Sequence, residues 1–257
     1  MKFNPDCPQC DGTGWKPVTR DGIAVVERCE CFQHDRQGSL STRAQIPDKF
    51  SAASFKNFSP GSPNSNPVAH ETLVKAMLGA RAYARDYPAL SRLGLLLQGP
   101  TGVGKTHLAI AVLKQLLSRG FECAFFDYQT LLDQIRQSYN PTAGATDQQV
   151  YRSVLDTDIV LIDDLGSHRV TDWVEDTVTA IINHRYNNGK ALVLTTNLPD
   201  PILGDNSVAK DAVTGKFNVH DTLVDRIGSS ARSRIYEMCK VIRVPGSDYR
   251  LKNIQSE

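Results

Sequence analysis

The stretch GPTGVGKT at 99–106 constrains this chain more than any other feature. It fits the pattern G-x-x-x-x-G-K-[ST] and stands where that pattern has meaning, directly after the apolar run LGLLLQ at 93–98 and before a helical pattern from Thr106 to Ser118. Gly99, Gly102 and Gly104 let backbone N–H groups turn inward around phosphate oxygens, and the following helix presents its positive N-terminal end. Lys105 adds a full charge, and Thr106 a hydroxyl for Mg2+. With Pro100, Thr101, Val103 and His107, these residues are the candidate phosphate contacts.

Around this loop, short apolar runs alternate with helical patterns. The runs are LGLLLQ, ECAFFD (122–127), DIVLIDD (158–164), ALVLTT (191–196) and KVIRV (240–244). Leu73, Met77, Ala80, Ala84 and Tyr87 fall at steps of three and four, which predicts a helix ended by Pro88. Further helices are predicted through Ser138, over 148–155 and over 172–187, the last stopped at Gly189. Five nearly continuous apolar strands separated by helices predict an α/β fold, a parallel sheet covered on both faces in three layers. Residues 198–230 read as a long connection with one helix beginning near Asp221.

Two further strand ends carry chemistry once a phosphate loop precedes them. Asp163 and Asp164 close an apolar run, where Asp163 is placed to hold the Mg2+ that Thr106 also touches and Asp164 to polarise an attacking water. Thr195, Thr196 and Asn197 end another run, from which a polar side chain reaches between the two motifs.

Four of the six cysteines, Cys7, Cys10, Cys29 and Cys31, lie within the first 31 residues. Cys-x-x-Cys followed by Asp-Gly-Thr-Gly is a knuckle that aims two thiolates at one point, and Cys29-x-Cys31 returns two more, a set suited to tetrahedral Zn2+. His34 is the alternative to Cys31 as fourth ligand. So small and polar a segment needs metal to supply the folding energy that a core cannot. Cys123 and Cys239, set singly in apolar runs, read as core residues. The Ser-, Pro- and Asn-rich stretch after the module predicts an extended connector, dividing the chain into 1–45, 46–68 and 69–257.

With 29 Lys and Arg against 28 Asp and Glu, the net charge of +1 argues against a chain that coats nucleic acid nonspecifically. No apolar run approaches the roughly 18 residues of a membrane helix, and the start MKFNPDCPQC holds no apolar signal stretch. A cytoplasmic protein without a membrane partner is expected.

In its phosphate loop with His107, Leu108 and Ala109, the LIDDLG run (161–166), TTNLP (195–199) and the terminal SRIYEMCKVIRV and GSDYR, the chain resembles AAA+ ATPases of the DnaC/DnaI helicase-loader and IstB type. The resemblance spans about residues 46–250. It implies a sheet order of 5-1-4-3-2, binding of ATP and Mg2+ between self-associating subunits, and Asn197 as the sensor-1 residue. It also makes Arg234 the arginine finger that reaches a neighbour's site, with Arg226 competing, and Arg250 the sensor-2 arginine. A fixed guanidinium fork suits both tasks. Loaders of this type imply a replicative helicase and single-stranded DNA as partners, with the zinc module docking on the helicase.

Two departures carry expectations of their own. Asp164 stands where most AAA+ proteins have Glu, which predicts slow hydrolysis. Only 13 residues follow Val244, so no C-terminal helical lid is expected. The competing readings are an IstB-like transposition helper and a zinc-dependent adaptor whose nucleotide site binds without turnover.

Overall fold

The computed structural model describes residues 7–20, 22–61, 66–138, 145–200 and 222–249. Its centre is a parallel sheet of β3 (Gly94–Gln98), β4 (Cys123–Asp127), β5 (Ile159–Asp163), β6 (Ala191–Thr196) and β7 (Cys239–Arg243), preceded by a two-stranded hairpin of β1 (Trp15–Arg20) and β2 (Ile23–Arg28). The sheet runs β4-β5-β6-β3-β7. Numbered among themselves from the other edge, these five strands stand in the order 5-1-4-3-2, as the resemblance implies.

Alternate strand residues feed two apolar layers, which is why the runs look continuous in sequence. Leu95, Leu97, Phe125, Leu161 and Val193 pack with α2 (Pro67–Asp86) and α3 (Lys105–Ser118). Leu96, Phe126, Val160, Ile162 and Leu194 face the other way, against α4 (Tyr128–Ser138), α5 (Ala145–Asp156), α6 (Asp172–Asn187) and α7 (Leu223–Met238). Local signals set the helix starts. Asn66 accepts from the Ala69 N–H with Pro67 in the first turn, Thr171 accepts from Val174, and Thr222 forms a capping box with Asp225. The fully buried Arg185 ties the second layer together by donating to the carbonyls of Val154, Leu155, Asp158 and Ala191 at 2.6–3.2 Å. Burial lowers its pKa to about 10.

The N-terminal part departs from the sequence reading. The antiparallel hairpin and helix α1 (Glu30–Arg43) were not legible, and α1 does not end as a free module. Leu40 and Ala44 are buried in the α2–α3 layer, and the Ala44 carbonyl accepts from the Phe125 N–H of edge strand β4 at 2.8 Å. The expected connector is a docked strap over 46–58. Lys114 Nζ donates to the carbonyls of Phe50, Ser51 and Ala53 at 2.5–3.1 Å, and Phe50, Phe55 and Phe58 pack on the core. Three phenylalanines outweigh the polar residues between them.

Of the region 198–230, residues 201–221 lie outside the described residues. The helix expected near Asp221 starts at Leu223 and takes in the SRIYEM run, with a kink at Gly228. Among the described residues no helix is long and apolar enough to cross a membrane.

Candidate functional site

The C-terminal ends of β3, β5 and β6 bring the predicted residues together. The loop 99–104 leaves β3 and ends at Gly104, which caps α3 with φ 95°; a Cβ there would lie 2.7 Å from the Phe58 ring. Gly102, at φ 76°, would direct a Cβ into the Asp248 carboxylate at 1.8 Å. Both positions therefore require glycine. Lys105 reaches back across the loop and donates to the Pro100 carbonyl at 2.7 Å, a bond that an incoming phosphate can replace.

Thr106, first-turn neighbour of Lys105, donates to both oxygens of Asp163 at 2.9 and 3.1 Å. Thr195 of β6 donates to Asp163 Oδ1 at 2.6 Å. Burial raises the Asp163 pKa, the two hydroxyls pull it back, and the nearby carboxylates of Asp164 and Asp127 push the same way as burial. A half-buried carboxylate bonded to the helix-start hydroxyl is a fitting place for a divalent cation beside a phosphate. Asp164 follows at φ 58°, turning out of the strand. Asn197 Nδ2 lies 3.5 Å from Thr101 Oγ1, bridging the end of β6 and the loop.

A cavity of about 780 Å3 opens beside the loop, lined among others by Phe58, Asn66, His70, Val103 and Tyr249. Sequence reasoning missed this wall, because Phe58 and His70 lie outside any local motif. The strap joins the loop helix here: His107 Nε2 sits 2.8 Å from the Ser54 carbonyl, and its ring packs against Phe58. Above the loop, the Tyr249 N–H donates to the Gly102 carbonyl at 3.0 Å.

The arginines divide differently. Arg226, in the first turns of α7, donates to the His168 carbonyl at 3.3 Å and packs beside Gly166, next to the Asp164 turn. Arg234 lies eight residues further along α7, beyond the kink at Gly228, where its guanidinium donates to the Ser230 carbonyl and hydroxyl. Arg250 lies outside the described residues.

A second cluster lies in the hairpin module. The thiols of Cys7, Cys10, Cys29 and Cys31 all fall within 4.8 Å of one another, with Cys7–Cys29 at 3.7 Å and Cys10–Cys31 at 3.5 Å. A tetrahedron of Zn–S bonds near 2.3 Å separates its sulfurs by about 3.8 Å, so these thiols fit such an ion. The knuckle turn bonds Asp11 N–H to the Cys7 carbonyl, the Gly14 N–H donates to Cys10 Sγ at 3.3 Å, and β1 and β2 carry the chain back to Cys29. Burial opposes ionisation of Cys10, but the Gly14 N–H and the other three thiols prevail and hold it down at about 7. Burial and the Cys10 sulfur raise Cys31. The His34 side chain lies outside the described residues. Cys123 and Cys239 are buried in the core layers, and burial pushes Cys123 up to about 12.

The comparisons follow the same lines. The family described as IstB-like ATP binding protein matches residues 91–256. The phage-like element PBSX protein XkdC of Bacillus subtilis is 24% identical, over 96% of this chain and 85% of its own length. An insertion-sequence ATP-binding protein of Mycobacterium tuberculosis is 27% identical, over 84% of this chain and 85% of its own. The replicative helicase loader DnaC of Buchnera aphidicola (subspecies Baizongia pistaciae) is 20% identical, over 61% of this chain and 60% of its own. A crystal structure of the DnaC helicase loader superposes with a TM-score of 0.59 at 27% identity, covering 77% of this chain and 99% of that one. The crystal structure of DnaI, at 18% identity and a TM-score of 0.57, shares the fold over 78% of this chain and 95% of its own. With the phosphate loop, the carboxylates and the sheet order agreeing, the chain belongs to the IstB-like ATP-binding family, within the DnaC/IstB-like AAA+ ATPases.

Proposed function

We propose that this chain hydrolyses ATP and works as a loader of a replicative helicase in DNA replication, with nucleotide state controlling its grip on the helicase and on single-stranded DNA. The observation that carries the reading is the convergence of Lys105, Thr106, Asp163, Asp164 and Asn197 on one loop. Relatives that include helicase loaders support the choice of partner.

In this reading Lys105 leaves the Pro100 carbonyl for the phosphates of ATP. Thr106 and Asp163 hold Mg2+, which when bound neutralises charge growing on the transferred phosphate. Asp164 orients the attacking water, and Asn197 aligns it from the other side. Arg234 completes a neighbour's site, so that ATP assembles subunits, and Arg250 serves as the sensor-2 arginine. The four cysteines hold Zn2+, and the hairpin module docks on the helicase.

Asp164 is short for its task. Asp164→Glu adds one methylene towards the water and is expected to raise kcat roughly tenfold at little changed KM, read by phosphate release with single-stranded DNA and helicase present. A kcat that falls or stays the same takes Asp164 out of that role. No turnover in either form under these conditions favours the non-hydrolysing adaptor.

Single-stranded DNA is assigned to the face where α4, α5 and α6 meet. There the Arg136 guanidinium stacks 4.7 Å over the Trp173 ring, and Tyr151 lines the same open hollow. Rings and a guanidinium plane are platforms for unpaired bases, while the near-neutral net charge predicts modest, salt-sensitive affinity. Trp173→Ala is expected to weaken oligo-dT binding about tenfold, read by fluorescence anisotropy. Unchanged anisotropy moves the DNA surface elsewhere.

The family match and the insertion-sequence relative favour a second reading, a transposition helper. Filaments on duplex DNA with ATP, seen by negative-stain microscopy, would select it.

A further inference from the structure

The carboxylate pair and the strand bearing Asn197 meet through one atom. Thr195, 1% exposed on β6, donates its hydroxyl proton to Asp163 Oδ1 at 2.6 Å, and its own Oγ1 accepts from the Asp164 N–H at 2.8 Å. The paired register between β5 and β6 runs as far as Ile162 and Leu194. Beyond it Thr195 also holds the departing chain through its carbonyl, which accepts from the Leu165 N–H at 2.8 Å, beside the Thr196 hydroxyl that donates to the Leu165 carbonyl at 2.9 Å. Asp164 lies between the two grips of Thr195 in the left-handed region, a backbone state that persists in a residue with a Cβ where its surroundings over-determine it.

We infer that Thr195 is a positioning residue for phosphate transfer: its hydroxyl fixes the Asp163 carboxylate against Thr106 and, through the Asp164 N–H, sets the direction in which the Asp164 carboxylate leaves the sheet. The inference rests on the nucleotide reading above. Asn197, just past the end of the same strand, contacts Thr101 of the loop, so Thr195 also joins the strand end that senses the loop to the carboxylates that act beside it. A valine has the shape of threonine without its hydroxyl. In its place the partly buried Asp164 N–H loses its partner and Asp163 Oδ1 loses one of its two donors, so both carboxylates gain freedom to turn.

The test compares wild type, Thr195→Val and Thr195→Ser in binding a fluorescent ATP analogue, with Mg2+ and with EDTA, alongside ATP turnover and thermal melting. In EDTA all three are expected to bind within about twofold of one another, since the hydroxyl acts on Asp163 and Asp164 and not on the loop's N–H groups. With Mg2+, Thr195→Val is expected to lose about tenfold or more in affinity and in kcat, and Thr195→Ser to recover most of both. Thr195→Cys, close in size but a weaker donor, should fall between and serves if the valine variant does not fold. A valine variant equal to wild type overturns the inference. So does a loss of the same size with EDTA and with Mg2+, or one that serine does not restore, because those mark a packing role. A wild-type chain that binds no nucleotide overturns instead the reading on which the inference rests.

Discussion

Lys105→Ala is expected to weaken binding of Mg-ATP by about a hundredfold or more and to abolish measurable turnover, the scale seen when one preorganised donor is taken from a charged transition state. Lys105 is 8% exposed and spans the loop to the Pro100 carbonyl, so its charge lies inside the turn that phosphates would fill. Fold stability should change by less than about 1 kcal/mol, because the loop conformation rests on glycines and on main-chain bonds such as Gly99 N–H to the Thr196 carbonyl. Titration of a fluorescent ATP analogue and phosphate release read the first effect, and melting reads the second. Undiminished affinity would mean that the cavity beside the loop binds its ligand without its phosphates.

Removing one thiol has the second large effect, and it is local. Cys10→Ser is expected to strip Zn2+ from the hairpin module, since structural zinc contributes about 10–16 kcal/mol to modules of this size. Cys10 also anchors the knuckle through the Gly14 N–H. Hydrogen exchange should rise steeply over 7–31, yet protection should persist from Leu40 onward, where α1 is packed into the α2–α3 layer and joined to β4 at Phe125. ATP binding should remain. Metal content equal to wild type in Cys10→Ser would remove Cys10 from the ligand set, and exchange that spreads through α3 would show the strap transmitting the damage to the phosphate loop.

What was legible and what was not divides along physical lines. The central sheet was readable because strands buried on both faces are apolar throughout, as LLL at 95–97 and VLI at 160–162 are. The phosphate loop was readable because positive-φ positions demand glycine at 102 and 104. The hairpin was hidden for the opposite reason. Ile23, Val25 and Val26 are exposed, Pro17 interrupts the strand pattern, and neither strand carries the alternation of a half-buried sheet. The strap was hidden by composition, since Ser, Pro and Asn mark connectors while Phe50, Phe55 and Phe58 bury themselves one at a time. At the site, Asp163, Asp164 and Asn197 could be named from their places at strand ends. The double bond of Thr195 could not, because it depends on two strands adjacent in the sheet and about 30 residues apart in sequence. Which arginine serves the site depends on where α7 points. Its start at Arg226 lies beside the Asp164 turn and Arg234 two turns beyond, a distinction that no local motif carries.

In the proposed function, nucleotide and module together govern the grip on a replicative helicase. This is tested most directly by mixing the protein with the replicative helicase of the same cell, with Mg2+ and ATP, and measuring complex mass by light scattering after size exclusion. A stable complex that is lost with Cys10→Ser is expected. No complex with wild-type protein that still binds ATP would contradict the loader reading.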